Sequence, residues 1–477
     1  MKSALFIALE EWRYWFRSGL TLAVITIFAV VLISVSLLTA LRIESENAER
    51  THHQNEAEQT FLSQPDRHPH RMVHYGHYVF RAPVPLALFD PGLDSITGQS
   101  MFLEGHRQNS ATFSESRASA YLGSFSWLTP ALIYQLFAPL LIILLGHGAI
   151  VRERECGTLW PMLAQGLNSQ VLLAGKALAL LAFIGLLLLP LVFSALLAVS
   201  RGETFGAAVS LIGVYFLYLS IWAASSLLVS TLVNTRSTAL ASLASAWLAL
   251  SLVGPALAVN AASNSAPLVG KIESELTMLS EESLSDGHNA NDSAFDQLRA
   301  DLLEQYGVDK VEDLGVNIRG VVAQKAEEHL TEIMNIYAED RMAKEDLQAN
   351  WLTNFGWLTP KLAITSASRT ISGTDLPHYH RFLRQAEEIR FDFVQGLNQV
   401  HTEQLSYADD INRSRDEASS LRTRMDASNW QVLDEYQFEA SNTSTRLTNA
   451  GNSVVMLLAW FVAISASLLW AGGRLKP

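Results

Sequence analysis

Cysteine is nearly absent from this chain of 477 residues, which contains a single one, Cys156. One cysteine excludes a disulfide within the chain and any metal site built from several thiolates. Charged residues are also scarce, at 17% of the total, whereas apolar residues make up 49%. This balance indicates that much of the chain lies in a lipid bilayer.

Signatures of nucleotide binding and of catalysis are missing too. The phosphate-binding loop Gly-x4-Gly-Lys-Ser/Thr has its nearest counterpart at Gly175-Lys176-Ala177, which lacks the hydroxyl residue and has Gln170 in place of the first glycine. Neither a His-Glu-x-x-His helix nor a Gly-x-Ser-x-Gly elbow occurs. We therefore expect no catalytic residue and no cofactor in this chain.

Long apolar segments are what the chain does contain. A membrane helix needs about 20 predominantly apolar residues. Six windows meet that length and predict spans at 18–41, 128–151, 171–199, 207–233, 237–261 and 452–472. Three of these spans carry a proline, at Pro139, Pro190 and Pro255, where a membrane helix can bend. Six spans place both termini on the same side.

Residues 1–17 read as an amphipathic helix lying on the membrane, with an apolar face that includes Trp12 and Trp15 and with interleaved charges such as Glu11. The alternative is a simple extension of the first span. Beyond the first span, residues 42–62 are expected to continue it as a polar helix.

The orientation follows from lysine and arginine in the short loops. One side receives Lys2, Arg13, Arg17, Arg152, Arg154, Lys176, Arg236, Arg474 and Lys476, whereas the short loop on the other side has only Arg201. The first side is predicted to be the cytoplasm of a bacterium with this chain in its inner membrane. The long segments 42–127 and 262–451 are then periplasmic.

The acidity of the chain belongs to the second long segment. Of the residues behind the net charge of −13, 32 acidic and 17 basic ones lie between 271 and 450, against 15 and 17 elsewhere. Its apolar residues recur at helical spacing, and an acidic surface disfavours nucleic acid as a partner. The predicted fold class is an all-α polytopic membrane protein with six transmembrane helices, an N-terminal interfacial helix and a large, mostly helical periplasmic domain.

One tetrapeptide occurs twice. Trp-Leu-Thr-Pro ends at Pro130, where the second span opens, and again at Pro360. An amphipathic run that includes Ile364 and Ile371 follows the second copy and predicts a helix on, or dipping into, the outer leaflet.

The short loop 152–170 carries the most specific pattern. It reads Glu153-Arg-Glu-Cys-Gly-Thr-Leu159, and Gly175-Lys176 follows at the start of the third span. This resembles the first cytoplasmic loop of ABC-transporter permeases of the type-2 export class. The resemblance implies a coupling helix that enters a groove on a cytoplasmic ABC ATPase, with ATP and magnesium bound by that partner. The implied coupling residues are Glu153, Glu155, Gly157, Thr158 and Leu159.

The long segments carry a narrower resemblance. Motifs such as His74-Tyr-Gly-His77 and Ser372-Gly-Thr-Asp375 are similar to a permease subfamily with enlarged periplasmic loops, related to the permease of the nitrous-oxide-reductase maturation transporter. The resemblance implies a second permease, either an identical or a similar chain, and leaves the substrate open.

Seven of the 13 histidines fall between positions 52 and 106. Imidazole and thioether together suit copper, and imidazole alone suits zinc or nickel. The densest stretch predicts a metal site from His68, His70, Met72, His74 and His77. The alternative is that these histidines only hydrogen-bond within a folded loop.

Two functions follow from these observations. In the first, the chain is a permease through which an ATPase drives export along a seam, for which Tyr134, Gln135, Tyr215 and Tyr218 are candidate lining residues. In the second, it transmits motion to a periplasmic partner, for example in copper or other metal delivery, and nothing crosses the membrane. An open polar seam favours the first function and a dry, closed one favours the second.

Overall fold

The computed structural model describes residues 2–17, 19–109, 111, 128–270, 273, 276–277, 293–430 and 437–475. The first tryptophan of the repeated tetrapeptide, Trp127, and parts of the predicted segments 42–127 and 262–451 lie outside these residues.

The described chain is mostly helical, and one small β-ribbon interrupts the helices. In chain order the elements are α1 (Lys2–Arg17), α2 (Leu20–Leu62), α3 (Pro69–Val73), β1 (His77–Phe80), β2 (Ser100–Leu103), α4 (Pro130–Gly146), α5 (Val151–Glu155), α6 (Leu159–Ala164), α7 (Ser169–Leu187), α8 (Leu189–Ser200), α9 (Phe205–Leu232), α10 (Arg236–Leu248), α11 (Gly254–Ser265), α12 (Asp296–Tyr306), α13 (Ile318–Asn354), α14 (Pro360–Ser372), α15 (Leu376–Gln404), α16 (Tyr407–Asn412), α17 (Glu417–Arg422) and α18 (Thr443–Gly473). Strands β1 and β2 pair antiparallel, with His77 opposite Leu103. The predicted mostly helical fold is therefore confirmed, and this short ribbon is its exception among the described residues.

Six stretches of the described chain are long and apolar enough to cross a membrane. They are Leu22–Leu62, Pro130–Glu155, Ser169–Leu187, Phe205–Leu232, Arg236–Ser265 and Thr443–Gly473. The predicted number of apolar helices is confirmed, and the polar continuation of the first span is part of one uninterrupted helix, α2. At 1.5 Å per residue, its 43 residues extend over about 65 Å, roughly twice the hydrocarbon thickness of a bilayer.

The helix starts and bends have local causes. Both copies of Thr-Pro begin a helix in the same way, because Thr129 and Thr359 accept a hydrogen bond from the third residue after them and each proline occupies the first helical position. Pro190 follows the break between α7 and α8, and Pro255 follows a π-helical turn at Ala249–Val253. A proline donates no backbone hydrogen bond, so the pattern of backbone hydrogen bonds along the helix changes at these points.

Helix α14 packs among the apolar helices. Its apolar face, with Ala363, Ile364 and Ala367 fully buried, packs against α9 and α18. Its predicted position on, or dipping into, the outer leaflet stays a prediction.

The two long segments share one hydrophobic core. Phe61 at the end of α2, Met72 in α3 and Leu103 in β2 pack with Phe382 and Phe393 of α15. We call this unit the polar domain. It lies at the end of α2 remote from α1 and from the short loop between α4 and α7, so the two ends of the molecule can carry different sites.

Candidate functional site

The short loop between α4 and α7 folds into two small helices, α5 and α6, that we call the knob (residues 151–164). Gly157, with φ of 71°, lies in the left-handed region and turns the chain between them. Leu159 and Leu163 are buried against the core, whereas Cys156 and Trp160 face outward and the Trp160 side chain is 63% exposed. An apolar base and a solvent-facing tip are what a protein-docking element requires.

The base of the knob is held by a buried ion network. Glu153 lies 3.2 Å from the ammonium of Lys176 in α7 and 3.1 Å from Arg152. Glu11 of α1 accepts from the same two cations, at 2.5 Å from Lys176 and 2.8 Å from Arg152. Glu11 is only 3% exposed, although the sequence placed it among solvent-facing charges. The reason is that α1 packs on α7, which encloses Lys176.

The second predicted acid, Glu155, anchors the other side of the knob. Its carboxylate accepts from the backbone N–H of Arg236 at 2.7 Å and from the side chain of the same residue at 2.5 Å. Arg154 donates to the carbonyl of Thr231 at 2.8 Å. Both predicted coupling acids are thus paired within the chain, and their role in contacting an ATPase stays a prediction.

Thr158 also forms hydrogen bonds inside the knob. Its hydroxyl donates to the Glu153 carboxylate at 2.6 Å, and its backbone N–H donates to the Glu153 carbonyl at 2.9 Å. Of the five predicted coupling residues, Leu159 is buried, and Gly157 and Thr158 lie at the exposed turn. The exposed tryptophan at position 160 was not predicted, although an apolar side chain beside a charged turn signals it.

The predicted seam residues lie together, but inside a single chain. The Gln135 side chain donates to the Tyr215 hydroxyl at 2.8 Å, and Tyr218 donates to the Gln135 carbonyl at 2.7 Å. Tyr134 donates to the Leu187 carbonyl at 2.6 Å. None of the four is more than 3% exposed. The structure places them in a buried, hydrogen-bonded cluster between α4 and α9.

Two charged residues that were not predicted, Lys361 and Asp90, extend this cluster. Lys361 of α14 donates to the Gln135 side-chain oxygen and, at 2.9 Å, to Thr365. Ser368 accepts from Tyr215 at 3.0 Å and donates to the buried carboxylate of Asp90. The repeated tetrapeptide could have pointed to Lys361, because that residue follows the second proline directly.

The predicted metal set is not one cluster. Met72 is completely buried in the core of the polar domain, and the His77 ring lies 4.7 Å from that of Phe61. His68 pairs with the buried carboxylate of Asp410 at 3.1 Å, which His401 also approaches to 2.8 Å. This corrects the prediction of a single site from five neighbouring residues.

Two histidines of the predicted set do remain together. The Nε2 atoms of His70 and His74 are 3.3 Å apart, and the ring of His106 lies 5.1 Å from that of His74. Among the described residues, two groups of three place ligand atoms within 4.8 Å of one another, namely His70, His74 and His106, and His68, His401 and Asp410.

Comparison with known protein families gives one match, over part of the chain. Residues 273–439, less than half of the chain, match a domain of unknown function, DUF3526. No curated protein and no solved structure matches the chain. The matched residues include α13, α14 and α15 together with His401 and Asp410, and they do not include the knob.

Proposed function

We propose that this chain is the membrane-spanning permease subunit of an ATP-driven ABC exporter, and that the knob receives the ATPase. The observation that carries the proposal is an exposed tip on a base held by ion pairs to three other elements. Glu153 ties the knob to Lys176 of α7, Arg152 ties it to Glu11 of α1, and Glu155 ties it to Arg236 at the start of α10. A force on the tip is therefore delivered to several helices at once.

The arrangement supports coupling because its buried charges resist separation. Removing one partner from a buried ion pair leaves an uncompensated charge, so the knob, α1 and α7 move together. In this proposal ATP and magnesium reside on a separate cytoplasmic ATPase, and a second permease, identical or similar, completes the membrane unit. The six spans then cross a bacterial inner membrane with both termini in the cytoplasm and the polar domain in the periplasm.

A second function is favoured by a different observation. The cluster around Gln135 is closed, and two long helices, α2 and α18, run from the apolar core toward the polar domain. Such rods can carry motion to a periplasmic protein without opening a pathway. Helices α13 and α15 flank a groove of about 1140 Å³ whose lining includes Glu328, Glu332 and Glu388 beside the ion pair of Arg384 with Glu339, a surface suited to a basic partner.

Co-purification and ATP turnover test the first function. The chain in lipid nanodiscs is combined with candidate ATPases, and wild type is compared with Trp160→Ala. Trp351→Ala is the matched control, because that tryptophan is also exposed, at 47%, but lies on α13 of the polar domain. We expect Trp160→Ala to reduce ATPase binding and permease-stimulated turnover by at least tenfold, as loss of a central aromatic contact does.

Equal loss in both variants, or loss in neither, contradicts the assignment of the knob. The two functions are separated by transport itself. Turnover that moves solute across a sealed membrane supports export. Turnover that only changes the exposure of the polar domain supports transmission of motion.

A further inference from the structure

Three imidazoles from separate parts of the sequence converge on one point of the polar domain. His70 lies in α3 and His74 ends it, so the four-residue spacing places both rings on the same side of this short helix. His106 comes from the turn after β2. The backbone N–H of Gly105 donates to the Val73 carbonyl at 3.0 Å, and this bond docks the turn against α3.

The spacing suits a metal ion. In a tetrahedral zinc site with bonds of about 2.0 Å, neighbouring nitrogens are about 3.3 Å apart. His70 and His74 already have that separation, at 3.3 Å between their Nε2 atoms. The third ligand atom lies within 4.8 Å of the others, so a movement of the His106 ring by about 1–2 Å completes the geometry.

An independent feature supports the third ligand. The Nδ1 atom of His106 lies 3.0 Å from a carboxylate oxygen of Glu327, which is completely buried. The other Glu327 oxygen accepts from Arg390 at 2.5 Å, and Glu387 holds that guanidinium in turn. A carboxylate behind a histidine keeps the proton on Nδ1 and leaves Nε2 to bind an ion, as in many zinc proteins.

The backbone agrees with this role. Among the described residues, His106 is the only one other than glycine with a positive φ, at 64°, a conformation that side chains rarely adopt outside special sites.

We propose that His70, His74 and His106 form a three-imidazole site for a divalent transition-metal ion, with a fourth position open to solvent and with zinc as the ion that probes it. Three protein nitrogens and an accessible fourth position also suit copper and nickel, and copper is expected to bind more tightly than zinc in any such site. The site does not depend on the permease proposal, since it lies in the polar domain.

The test uses the full chain in detergent, zinc alone as the probe, and equilibrium dialysis followed by elemental analysis. Wild type is compared with His74→Ala, whose side chain is exposed and therefore tolerates removal. The control replaces both His52 and His53, an exposed pair on α2 whose ring centroids are 5.5 Å apart. We expect one zinc per chain in wild type and in the control, and at least tenfold weaker binding in His74→Ala.

A second variant, Glu327→Gln, keeps all three ligands and is expected to weaken zinc binding by about 10- to 100-fold. Cobalt in place of zinc should give the visible absorption of a tetrahedral site in wild type and not in His74→Ala. Zinc binding that is unchanged in His74→Ala overturns the proposal, and the group of His68, His401 and Asp410 is then the next one to test. Absence of binding in wild type overturns it as well.

Discussion

Replacing Glu11 by glutamine should release the knob from its base. The change removes one negative charge from a buried group in which Glu11 and Glu153 face Lys176 and Arg152. After the change, two buried cations share the single carboxylate of Glu153. The backbone of α1 and the volume of the side chain stay the same, so the effect measures charge.

The expected magnitude follows from burial. Breaking a buried ion pair by removing one partner costs about 3–5 kcal/mol. Even the lower value shifts an equilibrium between anchored and released states by a factor of about 100. The neighbouring residue supplies a matched control, since the Glu10 side chain is 45% exposed and pairs with the exposed Arg13. Glu10→Gln should cost under about 1 kcal/mol.

The single cysteine provides the labelling site for the assay. Cys156 is exposed at the tip of the knob and is the single cysteine of the chain, so a spin label attaches there without further engineering. We expect a restricted spectrum in wild type and in Glu10→Gln, and a mobile component in Glu11→Gln. A label as restricted in Glu11→Gln as in Glu10→Gln, with equal melting temperatures, would refute the view that this network holds the knob.

Two further predictions concern the polar domain. A Cβ atom on Gly320 would lie 2.5 Å from the backbone nitrogen of Thr402, so Gly320→Ala should cost about 1–3 kcal/mol in thermal unfolding. Gly396→Ala, where no described atom lies within 4 Å, should be neutral or gain up to about 1 kcal/mol, and equal melting of the two would contradict the close helix approach. Stability should also fall with acid: burial lowers the pKa of His77 to about 4 and, with nearby arginines, that of His378 to about 3. Both pKa values lie below the unfolded-state value of about 6.5, so each buried neutral histidine contributes its full stabilisation above about pH 6.5. That stabilisation is lost as the pH falls toward the folded-state pKa, and about 2 kcal/mol per histidine is lost at about pH 5. Melting curves at pH 7.5 and 5 test this, with a smaller difference expected in His378→Gln; a melting temperature unaffected by pH would contradict it.

Much of the architecture could be predicted because its causes are local. An apolar run long enough to cross a bilayer is visible without knowledge of its neighbours, and six such runs appear as helices. The repeated Thr-Pro marks two helix starts for the same reason, since a cap and a proline act on the first turn alone. The knob follows from its glycine and from the charged turn between two spans.

The partners of charged and polar side chains were less predictable. Glu153 and Glu155 were expected to face a partner protein, because a sequence shows their charge and hides what packs beside them. Gln135 and Tyr215 read as pathway residues for the same reason, whereas helix packing closes them against Lys361. A polar side chain in an apolar helix must find a partner, but the sequence does not say whether that partner is protein or water.

The sequence by itself determined the apolar helices, the acidic insert and the position of the knob, because hydrophobic length, charge and turn chemistry act over a few residues. Only the tertiary structure decided that Glu11 meets Lys176 and that His106 joins His70 and His74. These contacts join residues far apart in the chain. They arise when the apolar faces of α1 and α7, and of α3, β2 and α15, are buried against one another and carry the attached polar groups to common points.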